Sequence, residues 1–384
     1  MKYITLFLLA LLLSASVLQS QTYERYKILL DTTLESKALG FEKNIKVTVP
    51  FTWQENLGSE FPLIVVFDSQ NQRSHGYILN TIDYLSSTEQ MPLAVVISVE
   101  STQEHRLSET LHSISGERGM LEKNEMFLFE ELIPLAEEKW KASKYRIFVG
   151  HSRYGYFTTS LFHNRIDELN AVIALSPFYT QTNVNLVDSL AQLENLDLST
   201  KKYYRYGVEG AYLEHYNAID SLLSDFDNPM IDADGRFFLE ADHNAVPGLT
   251  IAPALYDIFE YWAEGQAIYF SNENKDVGQL KIQSANIRQH YGSDFSFGLG
   301  VLNGKGWYFY NEGEFDLAIA AWRELLRAYP SFSEGYLYIF YAEQEMERDT
   351  QKTISDLKAS LKVSKFYSEA EKQEILAEVE KPKE

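Results

Sequence analysis

The stretch YRIFVGHSRYGYFTTSLF (145–162) runs from an apolar segment into an amphipathic one through Gly150, His151 and Ser152. A buried strand, a sharp turn and a helix is the context that presents a nucleophilic serine. A serine hydroxyl is a poor nucleophile at neutral pH, so it needs a base within hydrogen-bond reach and a carboxylate to orient that base. The usual turn reads G-x-S-x-G, with glycines where a Cβ would collide. Here Tyr154 stands two residues after the serine and Gly155 follows it. A side chain of that size must either point off the turn or force it open.

In chains built around such a turn the acid and the histidine follow the serine in that order. His163, His215, His243 and His290 all satisfy the order. His163 lies on the helix after the turn, His215 inside a predicted helix and His290 in a polar stretch, and all three read as solvated side chains. His243, in EADHNAVPG (240–248), follows the last predicted strand and opens a loop containing Pro and Gly, where reactive groups are held on a rigid scaffold. Position alone leaves it either catalytic or loop-structural. For the acid, Glu209 directly follows a predicted strand and Glu214 lies five residues on; Glu209 is the preferred candidate, though either could be a helix-start charge. Two N–H donors are needed for the oxyanion. The amide of Arg153 supplies one by position, and Ser69 or Gln70, after PLIVVFD (62–68), supplies the other. The Arg153 guanidinium reads either as a charge at the mouth of such a site or as a solvated side chain.

The elements that must position these groups alternate. NIKVTV (44–49), PLIVVFD (62–68), PLAVVISV (92–99), YRIFVG (145–150), AVIALSP (171–177), KYYRYGV (202–208) and RFFLEA (236–241) read as strands. Several are apolar on both faces, as buried parallel strands are. EMFLFEELIPLAEEKW (125–140), YGYFTTSLFHNR (154–165), YLEHYNAIDSLLSDF (212–226) and APALYDIFEYWAEG (252–265) read as helices. The alternation predicts an α/β fold with a mostly parallel sheet covered on both sides.

Composition bounds the rest. The chain has 384 residues, 45% hydrophobic and 23% charged, which is ordinary globular usage. Net charge is -21 and no Lys/Arg-rich run appears, which excludes nucleic acid as a partner. There is no cysteine, so disulfides, thiol catalysis and Cys-ligated metals are excluded. No Asp-rich loop has calcium spacing. MKYITLFLLALLLSASVLQSQ has one lysine, a short apolar run and small residues between Ser14 and Ser20, the layout of a signal peptide. The run falls short of the ~20 residues of a spanning helix, so export with cleavage, to the periplasm or outside the cell and with no transmembrane segment left, is the expectation.

The predicted organisation is a signal peptide (1–20), a catalytic α/β domain (21–270), a polar linker (271–295) and a helical domain (296–384). In the last, GWYFYNEGEFDLAIAAWRELLRAYP (306–330) places Gly313, Phe315, Ala318, Trp322 and Pro330 at the offsets of a tetratricopeptide helix pair. Ile319 and Leu326 recur as Ile354 and Leu361, close to the period of about 34 residues.

With these pieces in place, residues from about 36 to 265 resemble the putative-esterase family of α/β-hydrolases, which includes enterochelin esterase, esterase D and feruloyl esterase relatives. FPLIVVFDSQ is similar to the family's strand ending in an L-D-G turn, with Ser69 at the glycine. FLFEELIPLAEEKWKASKYRIFVGHS is similar to its F-x-x-E-L-I-P helix and G-H-S elbow, and AVIALSPFY to its A-x-I-A-x-S-P strand. ADHNAVPGLTIAPALYDIF resembles the segment that holds the family's histidine, which implies a catalytic His243. GVEGAYLEH places the family's acid at Glu209 or, with a gap, at Glu214. The resemblance implies an exported serine esterase working through an acyl-enzyme on Ser152, without cofactor, on a small-molecule or glycan ester of sugar, phenolic or siderophore type. A peptidase would use the same triad. The reading from a different class is a non-catalytic hydrolase-fold module that binds a protein partner through its surface and its helical tail.

Overall fold

The computed structural model describes residues 23–54, 60–364 and 366–380. The predicted signal peptide, 1–20, lies outside the described residues. Eight strands form the central sheet: β1 (Tyr26–Glu35), β2 (Glu42–Pro50), β3 (Phe61–Phe67), β4 (Val95–Val99), β5 (Ala142–His151), β6 (Ala171–Leu175), β7 (Lys202–Glu209) and β8 (Ile231–Phe238). Their spatial order is β1-β2-β4-β3-β5-β6-β7-β8. β1 and β2 pair antiparallel, as do β2 and β4; all later pairs are parallel. This is the α/β-hydrolase sheet.

Every residue of β3 is buried. Because successive side chains point to opposite faces, Leu63, Val65 and Phe67 enter one apolar core while Ile64 and Val66 enter the other. A strand that must satisfy two cores can carry no polar face, which is why these segments read as continuous apolar runs.

The first face is covered by α2, spanning 121–140, and α3 (Arg153–Asn164). α2 widens into a π turn at Phe127–Leu132, immediately before Pro134, which has no N–H to offer the carbonyl four residues earlier. The second face is covered by α1 (Gln72–Ser87) and by the long helix that follows His243. Between β6 and that helix lie α4 (Leu186–Ala191) and α5 (Leu213–Ser224), and the long helix itself is α6 (Val246–Phe270). β1, α1 and the first half of β8 were not foreseen.

The segment expected as a linker, 271–295, contains α7 (Gln279–Tyr291). Ile287 and Tyr291 are buried in the second core, and Tyr291 meets the edge of Tyr145 at 5.4 Å and donates to the Ile258 carbonyl at 2.9 Å. Its polar composition reflects the outer face of a docked helix. Beyond it come α8 (Leu299–Asn311), α9 (Phe315–Ala328), α10 (Glu334–Glu345), α11 (Gln351–Val363) and α12 (Glu369–Glu380). Leu302, Phe309, Ala318 and Trp322 join the same second core as Ile147 and Val149 of β5. The first helices of the tail and the sheet therefore share one apolar interior, while α11 and α12 pack with one face of α10 in a separate cluster around Leu357 and Leu361.

A polar clamp fixes that junction. Glu89, just past α1, accepts from Gly300 N at 2.5 Å and Val301 N at 3.0 Å, satisfying two orphan donors of the first turn of α8. Its carbonyl accepts from Gln266 Nε2, whose Oε1 accepts from Gly298 N at 2.6 Å.

Two outcomes follow for stability. Glu89→Ala should cost ~1 kcal/mol in a urea titration, with faster hydrogen exchange at the start of α8, since a lost helix cap is worth about that much. His75 of α1, whose Nε2 pairs with the buried Ser98 hydroxyl at 2.7 Å, is held down to about 4 by burial and, less, by Lys46. As the pH falls from the ordinary imidazole range toward about 4 the unfolded chain gains a proton that the folded chain refuses, so stability should drop through that window. His75→Gln should flatten the dependence.

Candidate active site

β5 delivers the chain to Ser152, where the backbone turns sharply: φ is 60° and ψ is -115°. A left-handed φ on a non-glycine residue costs on the order of 1–3 kcal/mol and persists only where the surroundings enforce it. Here Ser152 N donates to the Leu175 carbonyl of β6 at 2.8 Å, and the Ser152 carbonyl accepts from Tyr156 N at 3.0 Å inside α3. A Cβ on Gly150 would lie 2.2 Å from the Tyr154 carbonyl, so only glycine lets the helix start so close to the strand. Gly155 packs against β6, where a Cβ would meet the Leu175 carbonyl at 3.2 Å.

Tyr154 points off the turn and leaves it intact. Its ring lies flat on Phe67 at the end of β3, with centroids 4.6 Å apart, and meets the edge of Phe157. Its hydroxyl donates to Glu109 Oε1 at 2.5 Å. Glu109 is fully buried and also takes Lys43 Nζ at 2.8 and 3.0 Å and the Ser101 hydroxyl. Burial, followed by the charge of Glu109, pushes the Tyr154 phenol well above its ordinary range, so it remains a proton donor. The network runs on to the surface. Ser101 N donates to Gln70 Oε1 at 3.0 Å, Gln70 Nε2 donates to Asp68 Oδ1 at 2.9 Å, and Asp68 holds Arg106 in a two-point ion pair at 2.8 and 2.5 Å.

On the other side of the serine, Glu209 ends β7 and is buried, while His243 lies in the loop between β8 and α6. His243 Nδ1 is 2.7 Å from Glu209 Oε1. A carboxylate accepts only, so Nδ1 carries the proton and Nε2 of the neutral ring is left as the acceptor. The Ser176 hydroxyl, at the end of β6, donates to Glu209 Oε2 and sits 3.0 Å from His243 Nδ1. His151 Nε2 donates to the His243 carbonyl at 2.9 Å, and Tyr212 packs edge-on to the His243 ring. Burial, and secondarily the neighbouring His243, lowers the pKa of His151, which favours the neutral donor.

These groups converge on a cavity of about 300 Å³ lined by Ser152, His243, Gln70, Arg153, Arg106 and Asp68, with His151, Asn71 and Asn244. Of the four candidate histidines, His243 is the one that lines it. His163 pairs with Asn164, His215 sits among Phe178, Tyr179 and Tyr212, and His290 is bonded to Tyr203 and stacked on Tyr261. Glu214 is exposed on α5, and Glu209 holds the imidazole. Ser69 N is committed to the Val99 carbonyl at 3.2 Å, and of the two candidates in that loop Gln70 is the one at the cavity. Arg153 opens α3 and its side chain is exposed.

Sequence reasoning did not single out Glu109, Lys43, Arg106, Asp68, His151 or Ser176 for a role at the site. Ser176 carried a signal, the polar residue ending an otherwise apolar run before Pro177; the others meet only through the fold. Among the described residues no group of three or more His, Asp or Glu is arranged to hold a metal ion, and no helix is long and apolar enough to cross a membrane.

Residues 36–242, more than half of the chain, match the family described as Putative esterase, and the chain belongs to that family. It is an ester hydrolase on the α/β-hydrolase fold. An IroE-like serine hydrolase from Shewanella oneidensis has a similar structure, with a TM-score of 0.62 at 16% identity over 78% of this chain and 99% of that one. An uncharacterised protein from Capnocytophaga ochracea matches with a TM-score of 0.61 at 12% identity, over 92% of this chain and 99% of its own. The BES protein from Bacillus cereus gives 0.53 at 17% identity, over 62% of this chain and 98% of its own. No curated protein matches the sequence.

The buried network under the turn can be tested directly. Tyr154→Phe should destabilise the protein by about 1–3 kcal/mol in chemical denaturation, because it strips a donor from a buried carboxylate. Lys43→Met should cost more, about 3–5 kcal/mol, by leaving Glu109 buried without its counter-charge.

Proposed function

We propose that Ser152 is the nucleophile of a serine esterase that works through an acyl-enzyme. The observation that carries this reading is the pairing of His243 with the buried Glu209 beside a cavity that also holds Ser152 on its strained turn. His243 Nε2 takes the serine proton as Oγ attacks the ester carbonyl carbon. The oxyanion forms against the amides of Arg153 and Gln70. The tetrahedral intermediate collapses by breaking the bond to the alcohol, which leaves with the proton held on His243. Water, deprotonated by the same nitrogen, then attacks the acyl carbon and returns Ser152. His151 and Ser176 are positioning residues: one holds the His243 backbone, the other the Glu209 carboxylate.

The half-buried ring of Tyr212, edge-on to His243 and with His215 beside it, supports an ester with an aromatic part, of phenolic or siderophore type. Tyr154, which together with the repeat-like tail motivated the reading as a non-catalytic module, is accommodated in the core, which favours the catalytic reading. The docking of α8 and α9 into the second core favours a scaffolding role for the tail over a free partner-binding array. Export, to a periplasm or outside the cell, belongs to the same proposal and rests on residues 1–20 alone.

Ser152→Ala and His243→Ala should each lower kcat/KM on an activated phenyl ester by about 10³-fold or more, with unchanged circular dichroism. Turnover that survives Ser152→Ala would overturn the assignment.

A further inference from the structure

The charges at the cavity do not balance. Asp68 is the one carboxylate among the lining residues, and Arg106 neutralises it through two hydrogen bonds. Glu209 lies behind His243, buried and bonded to it. Arg153 also lines the cavity, at its exposed side, and has no ion-pair partner among the described residues. It opens the twelve-residue helix α3, whose N-terminal end adds partial positive charge at the same place. All nine lining residues are polar or charged. This local excess of positive charge sits on a chain whose net charge is -21. A field of the opposite sign over the rest of the surface repels anions, so a lone cation beside the nucleophile is an attraction that the surroundings do not explain.

From this arrangement we infer that Arg153 selects esters carrying a negative charge near the ester group, with the anion seated at the mouth of the cavity against its guanidinium. The inference rests on the reading of Ser152 as nucleophile. The favoured substrate class is an ester of a small acid with an anionic alcohol, such as a carboxylated phenol. The charge stays outside while the acyl group enters the cavity of about 300 Å³ beside Gln70 and Ser152. Neutral aryl esters of the same shape fit the cavity but lack the contact.

The test compares 4-acetoxybenzoate with 4-acetoxybenzamide, which differ in charge and hardly in shape. Wild-type protein should favour the anion in kcat/KM by about two- to fivefold at low salt, the size expected of one exposed ion pair. The preference should shrink as salt rises toward ~1 M, where exposed charges are screened. Arg153→Gln should bring the ratio near one, Arg153→Glu should invert it, and Arg153→Lys should restore part of it. A second readout needs no turnover: the same two compounds titrated onto Ser152→Ala protein should bind with the same preference, again lost with Arg153→Gln in that background. Hydrolysis of both esters at one ratio in wild type and all three variants would overturn the inference and leave the serine-esterase reading standing. Absence of turnover in wild type together with Arg153-dependent binding of the anion would do the reverse.

Discussion

The buried ion pair between Lys43 and Glu109 is the constraint on which the site depends. Two charges removed from water are costly unless further hydrogen bonds complete them, and here Tyr154 and Ser101 do so. That ties four distant parts of the chain together: Lys43 of β2, the segments carrying Ser101 and Glu109 after β4, and the first turn of α3. Because Tyr154 is fixed in this network two residues beyond Ser152, the turn cannot relax without uncovering a buried carboxylate. The left-handed backbone of Ser152 is held by a polar network below and by β6 at its side. The same network reaches Gln70 and Asp68 at the cavity wall, so the turn and that wall of the cleft share one support.

The residue after the elbow is usually small because a side chain there must go somewhere. In this chain it goes into the core, and the space is made by Phe67 at the end of β3 and Phe157 one turn further along α3. The substitution is matched by acceptors placed to receive its hydroxyl. A tyrosine in this position is a structural part of the turn, with its polar end satisfied and its ring packed.

Much of this was legible in the sequence, for physical reasons that differ by element. β3 and β6 serve two cores and so read as unbroken apolar runs, while the runs of β4 and β5 are interrupted by Ser98 and Arg146. Ser152 was legible from its strand–turn–helix context, whereas chain order only narrowed the histidine and the acid: His243 was singled out by the resemblance to the esterase family, and Glu209 was preferred over Glu214 for its place at a strand end. β1 was not, since it is an edge strand with a half-exposed alternating pattern and a register shift between Ile28 and Leu30. The docked α7 was hidden by its own polar outer face. Lys43, Glu109 and Arg106 were beyond reach because their meaning lies in contacts across tens of residues, and a lone lysine or glutamate in sequence looks solvated. The direction of Tyr154 was equally unreadable, since nothing local marks Glu109 as its acceptor.

The most direct measurement is reaction of the purified, folded protein with a fluorophosphonate, followed by intact mass and peptide mapping. A single adduct on the peptide carrying Ser152, formed at a rate that falls sharply in His243→Ala, is the outcome expected of a turn held open for chemistry by the Glu109 network. A folded protein that takes up no label, or takes it elsewhere, would contradict it.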